Sequence, residues 1–510
     1  MQVLAFVLYF ILILTVGLFF FFKSKSGGEK EYFLGGRAMG PWVTAMSAQA
    51  SDMSGWLLMG FPGSIIAFGM GKVWIGVGLA LGTAANWLLV AKRLRRFSRA
   101  SNDAITLPQY LTNRFASKSP ILKIICAVIF LISFTVYVSS AFVAGKSVMV
   151  AVIPWFQGRE TLAMAVFALL ILIYTFLGGY KAVCWTDFFQ GIMMLIALLA
   201  VPIVMSLGNV DASYATAFAD GVVAFESNPF TADWRDIVTG LSWGLGYFGM
   251  PHIIVRFMAI NKPSQVKKAS TVAIIWVIIT LGSAIMMAII GRTFILNDGN
   301  SLAEILLPSG KQQDIFIVLT QELFPPIIAG FLLAAIVAAA MSTADSQLLV
   351  ASSSFTSDLY KPLIRKENAS EKELLWVGRI VVMIVSVVAF LIASSDIPWA
   401  ASIMAMVENA WGLFGAAFGP VILLSLFWPR LNYAGACTGI IVGAIVDIAW
   451  LLCFTNTIID PIVVSTGIYE ILPGFIAGGI AAIIASLCTT APSIEVQEIF
   501  ASATNKEIDD

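Results

Sequence analysis

Thirteen stretches of about twenty mainly apolar residues run through this chain, and each is long enough to cross a hydrocarbon core of about 30 Å as a helix. They lie near 2–22, 41–66, 73–91, 124–148, 160–177, 183–206, 237–258, 271–295, 325–355, 375–394, 399–427, 434–454 and 470–488. Lipid offers no partner to a backbone N–H or C=O, so only helices and closed barrels span it. These runs are too long and continuous for barrel strands. The expected fold is therefore an all-α polytopic membrane protein, multi-pass in the cell (cytoplasmic) membrane. Composition agrees, because only 12% of the residues are charged against about 25% in an average soluble domain. The first run has neither a basic segment before it nor a small-residue cleavage site after it, and is expected to be a retained span.

Lysine and arginine are sorted by loop. Lys23, Lys25, Lys30 and Arg37 fall in one, Lys92 to Lys118 in another, then Lys262, Lys267 and Lys268, then Lys361, Arg365 and Lys366. These are alternate loops, whereas 207–236 carries Asp211, Asp220, Glu226, Asp233 and Asp236. The positive-inside rule puts the amino terminus outside and the carboxyl terminus in the cytoplasm, as an odd number of spans requires. Net charge is zero and no basic tail exists, which argues against nucleic acid as a partner. The five cysteines lack metal-ligand spacing and read as packing residues. Nothing reads as an enzyme: there is no P-loop lysine motif, and GLGYFG at 244–249 has no strand before it to make a dinucleotide site.

Two spans are interrupted. SAQASDMSGWLLMG at 47–60 places Asp52 among Ser51, Ser54 and Gly55, with Pro62 and Gly63 beyond. A carboxylate at mid-membrane costs several kcal/mol unless it meets a cavity, a partner or an ion. Asp52 is thus either functional or a cap on freed backbone donors, and the two roles are compatible. LSWGLGYFGMPH at 241–252 is the second break, with Trp243 and Tyr247 on one helical face and Pro251 after them. The breaks open two groups of five spans, and an odd number per group forces opposite orientation. Discontinuous helices at corresponding positions of two inverted halves point to a transporter site.

A third constellation, AAIVAAAMSTADSQ at 334–347, presents Ser342, Thr343, Asp345, Ser346 and Gln347 where a membrane helix ordinarily carries Leu. Oxygen ligands of this kind suit a hard cation such as sodium, though hydroxyls also serve as glue between membrane helices. Asp187 in WTDFFQG reads either as part of an inner vestibule or as an interfacial acid. Glu408 is deeper, Lys146 and Asp447 are expected to reach an interface, and the single histidine, His252, makes no proton relay by itself.

YFLGGRAMGP at 32–41, SDMSGWLLMG at 51–60, Thr106–Phe115, WTD at 185–187, SWGLGYFGMPHI at 242–253, AAAMST at 338–343, DLY at 358–360, LLWVGR at 374–379 and FGAAFGP at 414–420 together resemble the sodium/solute symporter family. The resemblance implies a LeuT-type 5+5 inverted-repeat core in a single transporter domain: an extra helix at 2–22, repeats at 41–206 and 237–427, two further helices at 434–488, and a cytoplasmic tail at 489–510. It implies a sodium ion, co-transported and with no organic cofactor, held by backbone oxygens of Ala50, Met53 and Ala339 and the hydroxyls of Ser342 and Thr343, with Asp52 in support. It places L-proline or a similar small solute among Ser54, Gly55, Trp56, Tyr137, Trp243, Tyr247 and Pro251. Family members that couple two sodium ions use hydroxyls near Ser342, Asp345 and Ser346 with an acid at Asp187, which marks those positions here as a second cation site or a route of release. An ion channel is the rival reading, disfavoured by two breaks around an aromatic pocket.

Overall fold

The structure is a computed structural model that describes residues 1–23, 29–207, 228–297, 311–455, 457–459, 462–464 and 466–505. Lys25, the acidic stretch with Asp211, Asp220 and Glu226, and the last five residues of the tail lie outside the described residues. Among those described, ten helices are long and apolar enough to cross a membrane. The three other expected spans take different forms. Residues 160–176 make a shorter apolar helix, and the stretches following Pro41 and Trp234 are helices broken in the middle.

The first broken span comprises α1 (Pro41–Gly55), a wide turn at Trp56–Gly60, and α2 (Phe61–Phe68). Its irregularity is local to Ser54, which takes φ 45° and ψ −173°, a positive φ that costs a non-glycine residue on the order of 1–3 kcal/mol. The second comprises α3 (Trp234–Ser242), a tight turn at Trp243–Phe248, and α4 (Pro251–Ala259). Pro251 sits at the first position of its helix, where a missing N–H is no loss. Between these breaks runs α5 (Val73–Ala85), and glycines on it allow direct backbone contact. A β-carbon at Gly82 would lie 2.4 Å from the carbonyl oxygen of Gly244, and one at Gly78 would lie 2.2 Å from that of Gly240.

The centre of the bundle is α6 (Pro326–Ser353), in which every residue from Leu332 to Ser353 is buried, together with α7 (Ile403–Phe427). The peripheral helices are α8 (Gln2–Lys23), α9 (Tyr433–Trp450) and α10 (Ile471–Cys488). Only 28% of the apolar window of each peripheral helix is buried, against 83% for the windows containing α6 and α7, so they turn their side chains to lipid. Of the cysteines, Cys126 and Cys184 are buried as expected of packing residues, whereas Cys453 and Cys488 are exposed. Two short strands, β1 (Thr457–Ile459) and β2 (Ile462–Val464), pair antiparallel with Thr457 opposite Val464, a small addition to an otherwise helical chain.

Basic residues that alternate along the sequence meet at one end of the bundle. Arg37 donates to Ser98 Oγ at 3.1 Å, the Met258 carbonyl at 2.5 Å and the Ala104 carbonyl at 2.7 Å. Arg95 donates to the carbonyls of Ile260 and Asn261 at 2.7 and 3.0 Å. Met39, just before the first broken span, forms a parallel bridge with Ile260, just after the second. The two half-helices α1 and α4 are thus tied at this basic end.

Gly82→Val is expected to force α5 away from the second break, with a stability loss of about 1–3 kcal/mol or more from overpacking. Gly282→Ala is the control, since nothing lies within 4 Å of the added carbon. Melting temperatures of the purified variants check this: Gly82→Val should melt well below the parent and Gly282→Ala should not. Equal melting would contradict the contact.

Candidate cation and solute site

Breaking α1 leaves carbonyls without helical donors, and other helices supply them. Ser342 Oγ donates to the Ala50 carbonyl at 2.8 Å and also lies 3.1 Å from that of Ala339. A nitrogen of the His252 ring lies 3.1 Å from the Ser51 carbonyl and must be its donor, because a carbonyl only accepts. The Tyr137 hydroxyl donates to the Asp52 carbonyl at 3.4 Å. Three oxygens expected at a cation site, from Ala50, Ala339 and Ser342, therefore converge. On the next residue, Thr343 Oγ1 is buried with no hydrogen-bond partner, which is uncommon for a buried hydroxyl and leaves its lone pairs available. The Met53 carbonyl is differently engaged, accepting from the Trp56 amide.

Asp52 does not point into this oxygen group. Its Oδ2 accepts from the Tyr247 hydroxyl at 2.5 Å, so a carboxylate of the first break is bonded directly to the second. Around that bond is a small cavity lined by Asp52, Met53, Trp56, Leu79, Tyr137, Trp243, Tyr247, Val407 and Trp411. Four of the seven residues expected around a solute line it. Ser54 instead accepts from the Trp56 amide at 3.1 Å, and Gly55 packs where a β-carbon would meet that of Ala144 at 2.8 Å. Pro251 is buried at the start of α4 and does not line the cavity.

One end of the cavity is closed by a column of rings. Trp56 stacks on Phe61 at 5.0 Å and on Trp243 at 5.5 Å, and Trp243 meets Tyr469 at 5.1 Å. Trp411 donates to the Trp243 carbonyl at 2.8 Å and stands edge-on to Tyr247 at 5.0 Å. Trp411 and Tyr469 escaped sequence reasoning because an aromatic residue in an apolar run is ordinarily packing. The one signal was Gly246, where a β-carbon would overlap the Trp411 indole at 1.9 Å.

A second polar group lies at the basic end, and its organiser, Arg256, also went unread. Arg256 is fully buried and donates to Asp187 Oδ2 at 3.0 Å, Ser346 Oγ at 2.5 Å, Ser47 Oγ at 2.9 Å and the His252 carbonyl. Ser47 donates to Asp187 at 2.6 Å, and Ser346 to Asp345 Oδ1 at 3.3 Å. Asp187 Oδ1 and Asp345 Oδ2 are buried without partners. Asp187, Asp345 and Ser346 are therefore brought together, around one guanidinium. A basic residue in PHIIVRFMA was the available signal. Asp447, expected at an interface, is instead buried at 1% exposure. Its Oδ1 approaches to 3.2 Å of where a β-carbon of Gly412 would stand, and Gly412 has none.

Comparison with known proteins matches this architecture. Residues 32–443 match the sequence model of the Sodium:solute symporter family. A sodium/proline symporter of Escherichia coli (strain K12) is 43% identical over 478 residues, covering 93% of this chain and 90% of that protein. A sodium/proline symporter of Staphylococcus aureus (strain NCTC 8325 / PS 47) is 40% identical over 499 residues, covering 96% and 93%. Among solved structures, a Na+-coupled sialic acid symporter in a substrate-bound outward-open state superposes with a TM-score of 0.75 at 22% identity, over 96% of this chain and 98% of that one. Mhp1, a nucleobase-cation-symport-1 family transporter, gives 0.55 at 13% identity, over 92% and 98%. At these identities the structures establish the fold, which is LeuT-type. With a family match across both broken helices and relatives aligned along nearly the whole length, the chain belongs to the sodium:solute symporter family.

Proposed function

We propose that this protein imports L-proline with sodium across the cell membrane by alternating access. The observation that carries the reading is the Tyr247–Asp52 hydrogen bond, which joins the two broken helices between an oxygen-rich group and an aromatic cavity. Relatives named sodium/proline symporters at 40% identity or more support the choice of solute. Sodium is taken by the carbonyls of Ala50, Met53 and Ala339 and the hydroxyls of Ser342 and Thr343. Ser342 then turns from bonding the Ala50 carbonyl to sharing an ion with it. The pyrrolidine ring lies against Trp56, Tyr137, Trp243 and Tyr247, whose faces suit an apolar ring, and amides freed near Ser54, Gly55 and Pro251 meet the carboxylate.

In this reading the basic end is cytoplasmic, the termini are outside and inside respectively, and thirteen spans divide into an extra helix, repeats at 41–206 and 237–427, and two closing helices. One sodium moving through about 100 mV and a tenfold gradient releases about 3.7 kcal/mol, enough for about 500-fold accumulation of solute. That is sufficient without any nucleotide.

The group around Arg256 extends this path. Two ionised carboxylates and one guanidinium would leave a net negative charge in a dry interior, which is relieved either by a proton on one carboxyl or by a further cation between them. We assign Asp187, Asp345 and Ser346 to a waypoint on the cytoplasmic side of the sodium site, used as a second site or during release.

Two outcomes check the assignments. Ser342→Ala and Thr343→Ala should raise the sodium concentration for half-maximal proline uptake while proline binding at saturating sodium stays near normal. Trp243→Ala should do the reverse, weakening proline binding by about 2 kcal/mol as buried aromatic contacts commonly do. Unchanged sodium activation in folded Ser342 and Thr343 variants would remove the ion from this site. Asp345→Ser, measured in proteoliposomes, should change the charge moved per proline or the rate of sodium release, and no change in either would make Asp345 structural.

A further inference from the structure

At the basic end, apart from the sodium and proline sites, a cavity of about 220 Å³ is lined by Arg95, Arg96, Arg99, Ala100, Pro263, Ser502 and Ala503. Three arginines from one short helix, α11 (Lys92–Ala100), face it. The opposite wall is the carboxyl-terminal helix α12 (Ile494–Thr504), held in place by Phe500 edge-on to Phe97 at 5.3 Å and by Arg114, which donates to the Val496 carbonyl at 3.3 Å. Pro263 belongs to the segment that leaves the second broken helix.

The positive-inside bias explains arginines at this end, but not the burial of one of them with donors unmet. Arg95 is 4% exposed. Its Nε and Nη2 are used on the carbonyls of Ile260 and Asn261, while Nη1 is buried with no partner. A guanidinium presents five N–H donors in a rigid fork and rarely leaves a branch unused inside a protein. Asp103, the carboxylate that acts on Arg95, is already held by Arg37 Nε at 2.8 Å and by Lys30. Burial pushes the Asp103 carboxyl up, but Lys30 and Arg37 outweigh this and hold it below the usual carboxylate range. Its charge is therefore already shared by two other cations.

We propose that this cavity binds a phosphate-bearing anion through the guanidinium groups of Arg95, Arg96 and Arg99 that line it. Planar guanidinium forks match phosphate oxygens in pairs, which a simple excess of charge does not require. A bound anion would join α11, the segment at Pro263 and the carboxyl-terminal helix, linking that helix to the element that carries the second break. Two sources have this chemistry, an anionic phospholipid headgroup and a soluble phosphate.

The full chain in phosphatidylcholine nanodiscs, at constant sodium and ionic strength, is titrated with inorganic phosphate while its melting temperature is followed. A parallel series replaces part of the lipid with phosphatidylglycerol and omits phosphate. A saturable rise is expected in at least one series, and which series shows it identifies the source. Arg96→Gln combined with Arg99→Gln should weaken that response at least tenfold, and Ser502→Trp, which fills the cavity without altering charge, should abolish it. Sodium-activated proline binding retained in both variants shows that they are folded. No saturable rise in either series, or the same rise in parent and variants, would overturn the site.

Discussion

A carboxylate placed where a helix is broken inside a membrane has to be bonded by something, and in this protein the partner is the hydroxyl of Tyr247, 2.5 Å from Asp52. That contact joins the two irregular segments of the fold. On one side of it the carbonyls uncovered by the first break are gathered by Ser342 and His252. On the other the second break lines an aromatic cavity. The oxygen group includes the backbone beside Asp52, and Tyr247 lines the cavity.

The surrounding structure makes this arrangement stiff on one side and deformable on the other. Gly78 and Gly82 bring α5 against the backbone of the second break with no room for a methyl group, so that contact has few alternatives. At the basic end the half-helices are joined by polar contacts instead: the bridge between Met39 and Ile260, the bonds from Arg37, and those from Arg256 to Ser47, Asp187 and Ser346. Hydrogen bonds can exchange for water, whereas interlocked glycine backbones cannot.

Sequence reasoning reached the breaks because serine, glycine, proline and a carboxylate interrupting an apolar run are costly in lipid unless the helix opens there. It reached the oxygen group for the same reason, since Ser342 and Thr343 follow a row of alanines whose small size permits close helix contact. What it missed depends on tertiary distance. Arg256 follows three apolar residues and went unread, yet it is fully enclosed by carboxylates and hydroxyls from other helices. Asp447 looked interfacial because nothing nearby in sequence signals that Gly412 leaves it a recess. At Gly55 a β-carbon would meet that of Ala144, a packing constraint visible only in the fold. What escaped the sequence is what these residues face, not what kind of residue they are.

The central claim is that the Tyr247–Asp52 bond couples the cation to the solute, and linkage gives its most direct test. Sodium must tighten proline binding by the same factor as proline tightens sodium binding, typically about 5–150-fold for coupled sites. Both factors can be measured at equilibrium on the purified protein and on Tyr247→Phe, which keeps the ring and removes the hydroxyl. The account predicts equal factors in the parent and a factor falling toward one in Tyr247→Phe, with each ligand still binding alone. A folded Tyr247→Phe protein with the parent's coupling factor would contradict it.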